Sequence, residues 1–293
     1  MFDRARPRRS VLYMPGSNAR ALEKGRSLPA DGLILDLEDA VAPDAKATAR
    51  EQIAATLQQG GYGRREIAVR VNGLDSPWGR DDVKALATSG ADALLLPKVE
   101  SAAMVHELES LMTAAGAPGA MGIQCMMETP LGMLNAKEVA SASPRVTCLV
   151  MGTSDLVKDL QAAHTPDRLP VLTGLGLCIL AARAHGVAIV DGVHLDLDDA
   201  EGFAAQCRQG KELGFDGKTL IHPKTIAKAN EVFAPSAEEI AWSHKIIAAH
   251  AEATAAGKGV VVVDGKLVEN LHVENARRLV ALSGAIQELE SAA

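Results

Sequence analysis

Apolar runs recur along the chain, and each ends in polar or glycine residues before a helical pattern begins. They cover residues 10–14, 32–37, 67–71, 93–96, 122–127, 147–151, 187–190 and 217–221. Most are near-continuous rather than alternating, as parallel strands covered on both faces should be. Between them lie helical stretches. Ser17 or Asn18 caps one that runs to 28, and Pro43-Asp44 opens an Ala-rich one to about 59. Others follow over 77–90, 101–115, a short piece after Pro130, 177–184, 198–213 and 224–233. Eight strand–helix units predict an α/β fold, a (β/α)8 TIM barrel over residues 1–234. A doubly wound open sheet is the alternative. Beyond it, Pro235-Ser236 caps a helix over 238–255, and Asp264-Gly265 turns between short apolar runs at 260–263 and 266–268. A last amphipathic helix spans 272–289, so residues 235–293 read as a helix–hairpin–helix extension.

Composition narrows the class. Apolar residues make up 47% and charged residues 23% of 293, which is ordinary for a globular protein with a sizeable core. A net charge of −7, 3% aromatics and no basic stripe argue against nucleic acid as a partner. Cys125, Cys148, Cys178 and Cys207 lack C-x-x-C spacing, and three sit in apolar surroundings. They read as reduced thiols of a cytoplasmic protein, with neither a disulfide frame nor a zinc knuckle. Arg4, Arg6, Arg8 and Arg9 lead into no apolar stretch long enough for a signal or a membrane span.

In such barrels chemistry gathers at the C-terminal strand ends. Those ends carry Pro15 to Asn18; Asp36, Glu38 and Asp39; Arg70 and Asn72; Lys98 and Glu100; Glu128; Ser154 and Asp155; Asp191 and His194; and His222. Met126-Met127-Glu128-Thr129-Pro130 and Met151-Gly152-Thr153-Ser154-Asp155 echo one another, each an apolar run that delivers one carboxylate and stops. Acids do collect in loops. Two at the same position on neighbouring strands nevertheless suit a hard divalent cation such as Mg²⁺. Such an ion leaves positions open for a 2-oxo or 2-hydroxy acid. Arg70 suits that acid's carboxylate or a developing oxyanion, or pairs with Asp36 or Glu38, or does both. Lys98 forms a Schiff base or, among so many acids, stays protonated against Glu38 or Glu100. His194 and His222 serve as bases, as ligands or as hydrogen-bonded walls. So much charge at one mouth reads as an enzyme.

Several of these segments together resemble the citrate lyase β-subunit-like acyl-CoA lyases of the HpcH/HpaI aldolase superfamily, the group of malyl-CoA and citramalyl-CoA lyases. They are Ser10 to Asn18, Leu35 to Pro43, Arg70 to Asp75, Leu96 to Glu100, Met127 to Pro130, Gly152 to Leu156 and Ile221 to Pro223. The resemblance covers nearly the whole chain. It implies Mg²⁺, with Mn²⁺ as a substitute, on Glu128 and Asp155, with Arg70 and Ser154 at the substrate. It implies CoA contacts at Tyr13, Met14, Lys24, Ile221 and His222, with Asp36, Glu38, Asp39 and Lys98 behind the site. In malyl-CoA-type members the tail is a lid over a neighbouring subunit and supplies a catalytic Asp. Here the matching position is Glu269, with Asp264 as a second acid on the same hairpin. A homo-oligomer, trimer or hexamer, follows. The implied reaction is reversible Claisen-type cleavage of an acyl-CoA to acetyl-CoA or propionyl-CoA and glyoxylate or pyruvate. A β-subunit acting on citryl-acyl-carrier-protein and a non-catalytic barrel binding protein are the competing readings.

Overall fold

In the computed structural model, which describes residues 6–257 and 259–292, the eight apolar runs become eight parallel strands. They are β1 Ser10–Pro15, β2 Gly32–Asp36, β3 Glu66–Arg70, β4 Ala93–Leu96, β5 Gly122–Met127, β6 Val146–Met151, β7 Ala188–Asp191 and β8 Gly217–Leu220. Each pairs with the next, and β8 closes onto β1. The fold is therefore the (β/α)8 barrel, and closure excludes the open sheet.

Successive strand side chains enter two different apolar compartments, which is why the runs look continuous in sequence. Leu12, Leu33, Leu35, Val69 and Leu94 join helix residues such as Leu22, Ile53, Val83 and Leu108 in the outer core. Val11, Ile34, Ala68, Leu95, Met126 and Val150 fill the barrel itself.

Ten helices accompany the strands. They are α1 Ala19–Gly25, α2 Lys46–Gln59, α3 Gly79–Leu86, α4 Ala102–Ala114, α5 Pro130–Leu134, α6 Ala136–Ser141, α7 Thr153–Asp159, α8 Leu172–His185, α9 Ala200–Leu213 and α10 Ile226–Phe233. Side chains of Asn18, Ser101, Thr129 and Asp199 accept backbone N–H groups at the starts of α1, α4, α5 and α9. Three features depart from the sequence reading. α8 begins at Leu172, five residues before the predicted 177, because Gly174 and Gly176 blur its period. α6 and α7 were not foreseen. Thr153-Ser154-Asp155 carries turn residues, yet the same residues suit the first turn of a helix, and there Asp155 sits.

The end of β7 is pinned by a buried ionic cluster. Asp191 accepts from Arg168 Nη1 at 2.7 Å and from Lys218 Nζ at 3.1 Å. Asp191 and Lys218 are both fully buried. Burial lowers the Lys218 pKa, against the pull of Asp191.

A second compact unit begins at Ala234. It contains α11 Ala237–Ala255, the antiparallel strands β9 Val261–Val263 and β10 Lys266–Val268, and α12 Asn270–Ser291. Ser236 and Glu239 form a capping box at the start of α11. Ile246, Val263, Val268, Val273 and Ala276 form the unit's own core. Among the described residues, no helix is long and apolar enough to cross a membrane.

Candidate active site

The C-terminal strand ends enclose a cavity of about 310 Å³. Asp36, Asp39, Arg70, Glu128, Ser154 and Asp155 supply its polar lining, and Tyr13, Met126, Met151, Val193 and Ile221 its apolar lining. Strand register brings the two acid-bearing segments together. Met127 pairs with Met151, and Gly152 N donates to Met127 O at 2.9 Å. Glu128 and Gly152 are therefore neighbours just past the ends of β5 and β6.

Glu128 is 1% exposed. Its Oε1 accepts from Lys98 N at 2.9 Å. Burial pushes its carboxyl up to about 7, with Glu38 and Asp155 adding to the rise and the Lys98 amide opposing it. A Cβ at Gly152 would lie 2.5 Å from Glu128 Oε2, so the absence of one leaves the space that the carboxylate occupies. Asp155 enters the cavity from the first turn of α7, and Lys158 Nζ donates to its Oδ1 at 3.2 Å.

This donor set fits a hard divalent cation: two carboxylates, one of them buried with two further acids, Glu38 and Asp39, close by. Among the described residues no three His, Cys, Asp or Glu side chains group to hold a metal. An ion on this pair would therefore draw its other ligands from water and substrate.

Arg70, 6% exposed, lines the same cavity. Its Nε and Nη2 bind Asp36 at 2.7 and 2.6 Å. Its Nη1 lies 2.8 Å from Glu38 and 3.3 Å from Asp39. The pairing with Asp36 and Glu38 expected from the sequence is present, and the guanidinium also lines the cavity. Its guanidinium carbon also lies 5.1 Å from the centre of the Tyr13 ring, whose hydroxyl is 3.4 Å from Met126 Sδ. Burial raises the Tyr13 pKa. Lys98 Nζ pairs with Glu38 at 3.0 Å, and this bond outweighs burial to raise its pKa. That is the ion-paired alternative, and a charged amine is not a Schiff-base nucleophile.

Other expected residues lie elsewhere. Met14 packs in the outer core, and Lys24 is exposed on α1. His222 is exposed, its Nδ1 accepting from Lys224 N at 3.1 Å. His194 packs edge-on against Phe203. None of these four lines the cavity. Asp191 and Asn72 face structural partners, Arg168 with Lys218 and Asp82 respectively. In the second unit both Asp264 oxygens bind Lys245 Nζ, at 2.6 and 2.5 Å. Glu269 caps α12 in a reciprocal pair with His272, whose Nδ1 accepts from Glu269 N at 3.0 Å. Met126, Met151 and Gly152 entered the sequence reading only as neighbours of the two acids, without a role in the cavity, and Val193 not at all; the glycine directly after a buried run was the available signal.

A closed barrel with paired carboxylates, a guanidinium and an apolar wall at its C-terminal mouth has the make-up of a (β/α)8 enzyme. Residues 9–223 match the family HpcH/HpaI aldolase/citrate lyase, and the chain belongs to that family as a carbon–carbon lyase. It is 54% identical over 286 residues to a (3S)-malyl-CoA thioesterase of Cereibacter sphaeroides, covering 98% of each chain. It is 39% identical over 291 residues to the citrate lyase subunit beta of Leuconostoc mesenteroides, covering 98% of this chain and 96% of that one. The crystal structure of CitE from Mycobacterium tuberculosis, in complex with magnesium, acetoacetate and coenzyme A, is 29% identical with a TM-score of 0.76. That match spans 96% of this chain and all of the other.

Proposed function

We propose that this chain cleaves a malyl-CoA-type thioester in a Mg²⁺-dependent, reversible Claisen-type reaction. A 3-hydroxy-3-carboxy acyl-CoA is split to acetyl-CoA or propionyl-CoA and a 2-oxo acid, glyoxylate or pyruvate. The observation that carries this reading is the buried Glu128 beside Asp155, in one cavity with Arg70. The relative named for malyl-CoA and the structure holding magnesium and coenzyme A support it.

Glu128 and Asp155 would hold the ion, which when bound supplies Lewis-acid stabilisation of oxygen charge. Arg70, fixed by Asp36, retains a hydrogen on Nη2 for an oxygen of the 2-oxo acid. Tyr13, Met126 and Met151 keep water from the reacting carbons. A base takes the proton of the C3 hydroxyl, the C2–C3 bond breaks, and its electron pair becomes the thioester enolate. Protonation at C2 completes acetyl-CoA. Of the two tail acids Glu269 is the better proton carrier, because both oxygens of Asp264 are held by Lys245. It would act in a homo-oligomer in which the tail serves a neighbouring subunit.

A second reading, hydrolysis of the thioester, is favoured by the 54% identity to the thioesterase. Purified protein with Mg²⁺ and malyl-CoA separates the two. Cleavage yields glyoxylate without free thiol, whereas hydrolysis yields malate and CoA thiol. Activity of the chain alone on a CoA thioester counts against a citrate lyase β-subunit, and no turnover at all would sink both enzymatic readings.

A further inference from the structure

Glu128 reaches the cavity through two features that a search for acids does not find. Lys98 has a left-handed backbone, φ 49°, a conformation that L side chains other than Asn and Asp rarely adopt. The N–H it presents is the one that binds Glu128 Oε1. Gly152 is different: its φ of −104° suits any residue, so conformation does not demand glycine there. Space does. A Cβ would fall against Glu128 Cβ, 2.5 Å from Oε2 and 3.1 Å from Met126 Cε. Backbone and side chain of Lys98 are also divided in their work. The amide serves Glu128, while the ammonium pairs with Glu38, which in turn pairs with Arg70.

We infer that Lys98 and Gly152 are positioning residues for the cation site: the Lys98 amide fixes one oxygen of Glu128, and the missing Cβ at Gly152 makes room for the other. A carboxylate preset in this way loses little freedom when it takes an ion. The inference rests on the reading of Glu128 and Asp155 as cation ligands.

Calorimetric titration of Mg²⁺ into the full-length protein tests it, beside thermal unfolding in EDTA. Gly152→Ala should weaken Mg²⁺ binding by about 10–100-fold, the usual cost of disturbing the groups that orient a ligand. Lys98→Gly keeps the amide and accepts φ > 0, so its Kd should stay within about twofold of wild type. Lys98→Val, whose branched Cβ resists that backbone, should bind about tenfold more weakly. Rescue by glycine at 98 separates positioning by the backbone from loss of the ammonium. If Gly152→Ala fails to fold, the contrast between the two Lys98 variants decides. Wild-type binding with equal affinity in Gly152→Ala and Lys98→Val overturns the inference alone. Absence of Mg²⁺ binding by wild type overturns the cation reading and this inference with it.

Discussion

Glu128 is a buried acid whose oxygens are accounted for one at a time: Lys98 N binds Oε1, and Oε2 lies over Gly152. Glu128→Ala and Asp155→Ala should each abolish Mg²⁺-dependent lyase activity while leaving the far-ultraviolet circular dichroism unchanged. Full activity of either variant, or of wild type in EDTA, would refute the assignment. Glu269→Gln should lower kcat and leave Mg²⁺ affinity intact, and an unchanged kcat removes Glu269 from the reaction. The cysteines give a test through pH. Burial pushes Cys125 and Cys178 up to about 12 and Cys207 to about 11. Folded pKa values above the unfolded ones favour the native state fully below about pH 8.5, and this advantage fades as pH rises toward 11–12. At pH 8 iodoacetamide should therefore label the thiols only after unfolding, and urea stability should fall above pH 9. Rapid labelling of native protein at pH 8 would contradict the burial.

At the scale of elements, the cluster of Arg168, Asp191 and Lys218 ties the chain before α8 to the ends of β7 and β8. Asp191→Ala leaves two buried cations without their shared carboxylate and should cost about 3–5 kcal/mol in urea unfolding. A loss below about 1 kcal/mol would mean that the pair is screened by water. This cluster also shows where the sequence stops being legible. Asp191 ends an apolar run and reads as a mouth residue, but strand register pairs it with Lys218 and turns it to the outer core. Lys218 follows Asp216-Gly217 and precedes Thr219, a polar setting in which nothing local announces a buried cation. Strands were legible because Leu12, Leu33 and Leu94 on one face and Val11, Ile34 and Leu95 on the other are all apolar. α7 was not, since Thr153, Ser154 and Asp155 serve turns and helix starts alike.

For the whole molecule, eight repeats of one unit made the barrel readable from periodicity, and the paired Glu128 and Asp155 made the mouth readable from spacing. What spacing does not carry is direction. Met14 and Tyr13 are adjacent in sequence, yet one packs in the outer core and the other lines the cavity. Likewise Lys98 bears on Glu128 through its backbone, which residue type alone does not reveal. Cation-dependent carbon–carbon cleavage at the mouth of this barrel can be read from its products: purified protein is mixed with malyl-CoA, with Mg²⁺ or with EDTA, and glyoxylate, malate and free thiol are followed together. Glyoxylate and acetyl-CoA should appear in equal amounts, only with Mg²⁺. Glyoxylate formed equally well in EDTA, or malate and thiol with no glyoxylate at any time, would contradict it.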